Sequence, residues 1–84
     1  MLKIKDNVDL KELENYGYME WGKEDADVRY FKLIPINGLL IVILKDRIID
    51  YQLPLFSLIK QEDIKIETFI EDLIKADLVE KVDD

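Results

Sequence analysis

The sequence predicts an α+β fold: a mainly antiparallel sheet of four to six strands with two helices, at about 9–16 and 66–77. Three observations carry this. Asn37-Gly38 sits between two aliphatic and β-branched runs, and this dipeptide is the strongest local signal for a two-residue hairpin, because both central residues of that turn need φ > 0. A capping pattern opens at Asp9. An apolar period of 3.6 residues begins at Ile66.

The stretch from Val28 to Leu53 organises the rest. A hairpin centred on Asn37-Gly38 and a second reversal near Lys45-Asp46-Arg47 give a meander with the spatial order 18–21, 28–36, 39–44, 48–53. With a two-residue turn, Ile36 faces Leu39, Leu33 faces Val42 and Phe31 faces Leu44. Strand alternation then places Phe31, Leu33, Leu40, Val42 and Leu44 on a first face, the expected core. Tyr30, Lys32, Ile34, Ile36, Leu39, Ile41 and Ile43 fall on the second. A reversal at Lys45-Asp46 adds Ile49, Tyr51 and Leu53 to the first face, and Ile48, Asp50 and Gln52 to the second. Pro35 has its nitrogen turned away from the partner strand in this register, so it blocks a neighbour on the outer side only.

The flanks follow from local chemistry. Leu2 to Lys5 alternates as a short strand does, and Asp6-Asn7 is turn chemistry. Asp9 is placed to accept from the N–H of Glu12 while Glu12 reaches back, with Val8 and Leu13 as a hydrophobic staple. Leu10, Leu13 and Tyr16 supply the buried stripe of this helix, and Gly17 suits the left-handed residue that ends it. Tyr18 to Trp21 is a short strand, and the polar loop 22–27 turns the chain back to Val28. Beyond Pro54, Leu55 to Ile59 reads equally as a strand or a helical turn. Ile66, Phe69, Ile70, Leu73 and Ile74 form the stripe of the second helix. Thr68 and Glu71 are its capping candidates, with Glu67, Glu71 and Asp72 toward its N-terminal end and Lys75 toward its C-terminal end. Leu78 to Val82 is either a last strand or the end of that helix.

Composition narrows the function classes. Eighty-four residues, 49% hydrophobic and 37% charged, describe a single globular domain spanning 1–84, large enough for one core without staples. The longest strictly apolar run, Leu39 to Leu44, is far too short to span a bilayer, and no basic-then-apolar leader opens the chain. Twelve basic against nineteen acidic residues leave a net charge of −7, which disfavours nucleic-acid backbones and anionic membranes. With no cysteine, disulfides and thiolate metal sites are excluded, and the composition fits a reducing cytoplasm.

Catalytic residue types are scarce. Histidine and cysteine are absent, and serine and threonine occur once each, at Ser57 and Thr68, so triads and thiolate nucleophiles have no basis. The pairs Glu62-Asp63 and Glu71-Asp72 are sequence neighbours whose side chains diverge rather than converge on a substrate. Glu24 to Asp27 contains a D-x-D element but neither the central Gly nor the closing Glu of a calcium loop. Leu73 to Lys81 has the rhythm of a recognition helix running into a wing, but its exposed face carries Glu67, Glu71 and Asp72 where a DNA reader needs cations. No catalytic, cofactor-binding or metal-ligating residue is therefore assigned, and the chain reads as non-enzymatic.

The opening MLKIKDNVDLKELENYGY and the ending FIEDLIKADLVEKV resemble those of small uncharacterised proteins of low-GC Gram-positive bacteria and their phages. Those proteins begin with an IKDNVDLKELEKYGF-like run and end in DLIKAGLVEKV. Lys3 to Tyr18 and Leu73 to Val82 match, the middle does not, and Asp77 stands where relatives have Gly. The family carries no established activity, so the resemblance implies phage or prophage origin rather than mechanism.

What remains is surplus apolar surface. If both helices share one sheet face, Ile34, Ile36, Leu39, Ile41, Ile43 and Ile48 on the second face are left to bind a protein partner or a second copy, a possible homo-oligomer, unless residues 54–63 cover them. Two other readings stand beside this interaction protein. One is an acidic decoy whose carboxylates (Glu67, Glu71, Asp72, Glu80, Asp83, Asp84) imitate a phosphate row against a nucleic-acid-binding host protein. The other is a carboxylate-dependent enzyme.

Overall fold

A computed structural model describes residues 1–23, 26–35, 38–54 and 64–82. The fold is α+β, a six-stranded antiparallel sheet with short helices packed on one face. The strands are β1 (Leu2–Ile4), β2 (Met19–Glu20), β3 (Val28–Ile34), β4 (Leu39–Leu44), β5 (Ile48–Gln52) and β6 (Val79–Lys81), in the spatial order β2-β3-β4-β5-β1-β6. The meander order is as expected. The two ends of the chain complete the sheet, with β1 lying between β5 and β6. Leu78 to Val82 is thus the last strand and not a helix end.

Two registers differ from expectation, with different consequences. Ile34 stands opposite Leu39 and Phe31 opposite Val42, so the first turn spans the four residues 35–38 rather than two. Its centre, Ile36-Asn37, lies outside the described residues. Gly38 takes φ 73 and donates its N–H to the Ile34 carbonyl at 2.9 Å. A Cβ there would stand 3.1 Å from Pro54 Cγ, so the position needs glycine for its backbone and is tight around it. Pro35 leaves the ladder and occupies the turn. A shift of two residues in the pairing preserves the faces.

The second turn shifts by one, and that inverts β5. Ile43 stands opposite Ile49 and Ile41 opposite Tyr51, so the loop is Lys45-Asp46-Arg47, not Lys45-Asp46. Arg47 adopts φ 75 and donates its N–H to the Leu44 carbonyl at 2.8 Å, the usual three-residue hairpin ending on a left-handed residue. Ile49 and Tyr51 consequently join Ile41 and Ile43, while Asp50 and Gln52 stand with Val42 and Leu40. One residue of slip moves every side chain of a strand to the other face.

The first helix is a 3-10 helix, Leu10–Tyr16. Asp9 Oδ1 accepts from the N–H of Lys11 at 3.0 Å, while the Glu12 N–H goes to the Asp9 carbonyl at 2.9 Å. This replaces the expected capping box. Val8 and Leu13 both enter the core. Gly17, at φ 87, ends the helix as a Schellman turn, with Tyr18 N–H to Leu13 O at 3.2 Å and Gly17 N–H to Glu14 O at 3.3 Å.

The second helix is broken in two: α1 (Ile66–Phe69) and α2 (Glu71–Lys75), with Ile70 between them at φ −122. The break lets Ile70 and Leu73 both reach 0% exposure, whereas Ile74, from the same apolar stripe, stays 43% exposed. Asp77 (φ 61) repeats the Gly17 turn, with Leu78 N–H to Leu73 O at 3.1 Å and Asp77 N–H to Ile74 O at 3.0 Å. The core is one cluster built from Ile4, Val8, Leu13, Tyr18, Tyr30, Leu39, Ile41, Ile43, Ile49, Ile70 and Leu73. It lies between the helices and the face that holds Tyr30, Ile41 and Ile43, hereafter the inner face.

Candidate functional site

The inner face is the one expected to be open. Leu39, Ile41 and Ile43 are 0% exposed, and Ile34 is half-buried against the same cluster. Ile48 is on the opposite face, paired with Lys3 and half-buried, and Ile36 lies outside the described residues. The six side chains therefore do not form one surface, and three of them are the centre of the core. Segment 54–63, the expected cover, is described only at Pro54, which is exposed.

The apolar surface sits instead on the outer face, at the β2 end of the sheet. Met19 and Leu33 are 62% and 56% exposed, and Trp21 is 37% exposed. Met19 stands opposite Phe31. Leu33 follows Phe31 on the same face of β3. The Trp21 and Phe31 rings meet edge to face, 5.4 Å apart at 86°, the arrangement that aromatic quadrupoles favour. Further in, Val42 is buried while Leu40 and Leu44 are half-buried. Beyond β4 the face turns polar, with Asp50 and Gln52 on β5 and an ion-paired Lys3 on β1, 3.0 Å from Asp6 and 3.4 Å from Glu80. Hydrogen bonding to Asp6 first, and Glu80 after it, raises the Lys3 pKa above its usual value.

The other side of the same edge carries charges of both signs, with its carboxylates gathered around Tyr30. Glu20 stands opposite Tyr30, and the Tyr30 hydroxyl donates to Glu14 Oε2 at 3.4 Å. Burial first, then the charges of Glu14, Glu20 and Asp9, raise the Tyr30 pKa. A groove of about 360 Å³ runs along this side, lined by Leu10, Glu20, Trp21, Gly22, Lys23, Arg29 and Tyr30. Trp21 thus borders both the apolar strip and the groove. The backbone positions it: Trp21 N–H bonds to Arg29 O at 2.8 Å, next to the irregularity in the β3–β4 register at Val28 to Tyr30.

Other polar groups hold the scaffold together. Lys32 rises from the inner face and donates to the Tyr16 carbonyl at 2.9 Å. Its ammonium lies 5.5 Å from the Tyr18 ring centroid and 3.8 Å from Asp72 Oδ2. The carboxylates expected to imitate phosphates are dispersed. Glu67 and Glu71 are on different helices, Asp72 lies near Lys32 and Glu80 pairs with Lys3, while Asp83 and Asp84 lie outside the described residues. No group of three or more potential metal ligands occurs among the described residues. None of their helices is long and apolar enough to cross a membrane.

Searches against protein-family models, curated proteins and solved structures found no match to the chain.

Proposed function

We propose that this is a small, non-enzymatic interaction protein that binds a protein partner or a second copy through the outer-face strip of Met19, Trp21, Phe31 and Leu33. The observation that carries the reading is the exposure of Met19 and Leu33 beside the Trp21–Phe31 ring pair. Contiguous exposed apolar side chains next to aromatic rings are the composition of binding hot spots. The residue inventory supports the non-enzymatic part, since it contains no histidine or cysteine.

The resemblance to small proteins of low-GC Gram-positive bacteria and their phages supports a phage- or prophage-type origin and a cytoplasmic setting. The two matching segments, 3–18 and 73–82, are neighbours in the fold, where β1 pairs with β6 and Leu13 shares the core with Leu73. They make scaffold. The strip lies in the part of the chain that does not match, which suits a common frame carrying a partner-specific surface.

Light scattering at micromolar concentration, together with binding of a hydrophobic dye to the native protein, tests the reading. Dye binding, with or without dimer formation, is the expected result, and it falls in Leu33→Glu. A strict monomer that binds no dye contradicts it.

A further inference from the structure

β2 is the edge strand at one end of the sheet formed by the described residues. The Trp21 N–H points inward to Arg29 O, so alternation along an antiparallel ladder turns the N–H and C=O of Glu20 outward, where no described strand pairs with them. An added strand would meet different chemistry on its two faces. On the outer face it would lie beside Met19 and Trp21, both apolar. On the inner face it would lie beside Glu20, with Glu14 at the Tyr30 hydroxyl and Leu10 along the groove.

We propose that the β2 edge accepts an extended segment of a partner protein in which apolar and basic residues alternate, a proposal that rests on the reading of the outer-face strip as a binding surface. Side chains of a strand point alternately to opposite faces, so one register sends valine- or leucine-like groups onto Met19 and Trp21. It sends lysine- or arginine-like groups into the groove, where their stems cover Leu10 and their charges reach Glu20 and Glu14. Lys23 and Arg29 also line the groove, which limits the basic contacts to the side of Glu20.

Two further features favour a basic partner over a second copy. Four partly exposed side chains offer about 300–400 Å², half or less of the roughly 800 Å² per partner that a stable interface buries. A net charge of −7 on each copy opposes self-association, and the same charge steers a cationic segment toward the protein. A strand of two residues supplies a single outward rung, so side-chain complementarity must carry the specificity.

The test uses the full chain with short synthetic peptides alternating lysine with valine, and controls alternating glutamate with valine. Emission of Trp21, the single tryptophan, and backbone amide shifts report binding. The expected result is that the lysine peptide binds at least about tenfold more tightly than the glutamate peptide, shifts the amides of 19–22, and weakens as salt is raised. Glu20→Lys reverses the preference, and Met19→Glu weakens binding by about tenfold or more. Equal binding of the two peptides, or shifts confined to other strands, overturns the proposal. So does a dimer that Leu33→Glu dissolves and that excludes the lysine peptide, in which case the strip remains a binding surface with a second copy as occupant. If no peptide binds, no dimer forms and no dye binds, both this proposal and the reading beneath it fail.

Discussion

Arg47 donates its guanidinium to the carbonyl of Val8 at 2.7 Å, across 39 residues of sequence. The same nitrogen also donates to the carbonyl of Lys5 at 2.9 Å, and the Arg47 carbonyl accepts from the Ile4 N–H at 2.9 Å. One side chain thus ties the β4–β5 turn to the chain between β1 and the 3-10 helix. Arg47→Ala loses two charge-assisted hydrogen bonds and keeps a left-handed backbone that alanine resists. We expect a loss of about 2–4 kcal/mol, read as a lower urea midpoint. Arg47→Gly loses the same bonds without the strain, so it is expected to cost about 1 kcal/mol less.

Asp77 is, with Arg47, one of the two non-glycine residues with positive φ among the described residues. It makes the turn at φ 61, helped by Lys5 Nζ at 2.8 Å from its carboxylate. That pair is largely solvent-exposed on the Asp77 side and contributes little. Asp77→Gly is expected to stabilise the protein by about 0.5–1 kcal/mol through relief of backbone strain, and Asp77→Ala to destabilise it. Thermal unfolding of the two variants checks the opposite signs.

Ile41 and Leu33 separate the two faces of the sheet by their energetics. Ile41 is fully buried in the core, whereas Leu33 is 56% exposed on the outer strip. Ile41→Ala should cost about 2–5 kcal/mol, and Leu33→Ala about 0.5 kcal/mol or less. Similar losses for the two would contradict this assignment of the faces.

Tyr18 gives a pH prediction. It is 2% exposed, and its hydroxyl has no hydrogen-bond partner among the described residues. Burial first, with the Asp72 charge second, holds its pKa well above the ordinary value of 10.0. The unfolded chain releases this proton near pH 10 while the folded one keeps it. Above that pH the unfolded state binds fewer protons, so stability is full below pH 10 and falls as pH rises beyond it. The limiting slope for one group is about 1.4 kcal/mol per pH unit. Tyr18→Phe should be neutral or mildly stabilising at pH 7 and should flatten the alkaline decline seen in urea midpoints between pH 9 and 11, roughly the range in which tyrosine titrates. Tyr30, whose pKa is also raised, keeps the slope from vanishing.

The order of the four meander strands was legible because β3, β4 and β5 are dense in β-branched residues and are separated by turn residues, whereas the place of β1 between β5 and β6 has no local signal. The choice of core face was not legible either. Leu39 to Leu44 is apolar at every position, so alternation cannot say which side is buried, and the decision falls to β5, where Asp50 and Gln52 mark the outer side. That mark was misread because a single residue, Arg47, enters the turn in a left-handed conformation that arginine sequence gives no reason to expect. The break at Ile70 was hidden for a related reason. The stripe Ile66, Phe69, Ile70, Leu73, Ile74 fits one continuous helix, and only packing against the sheet shows that Ile70 leaves it. Once the face is settled, Met19 on β2, Trp21 just after it and Leu33 on β3 stand out as exposed apolar residues turned away from the core.

The most direct test of the outer strip as a binding surface is paired affinity capture with the wild-type protein and Leu33→Glu, matched for folded content. The prediction is a protein, or a second copy of the chain, retained in near-stoichiometric amount by the wild type and lost from the variant, while Lys75→Glu on the distant α2 retains it. Identical capture by the wild type and Leu33→Glu would contradict the account.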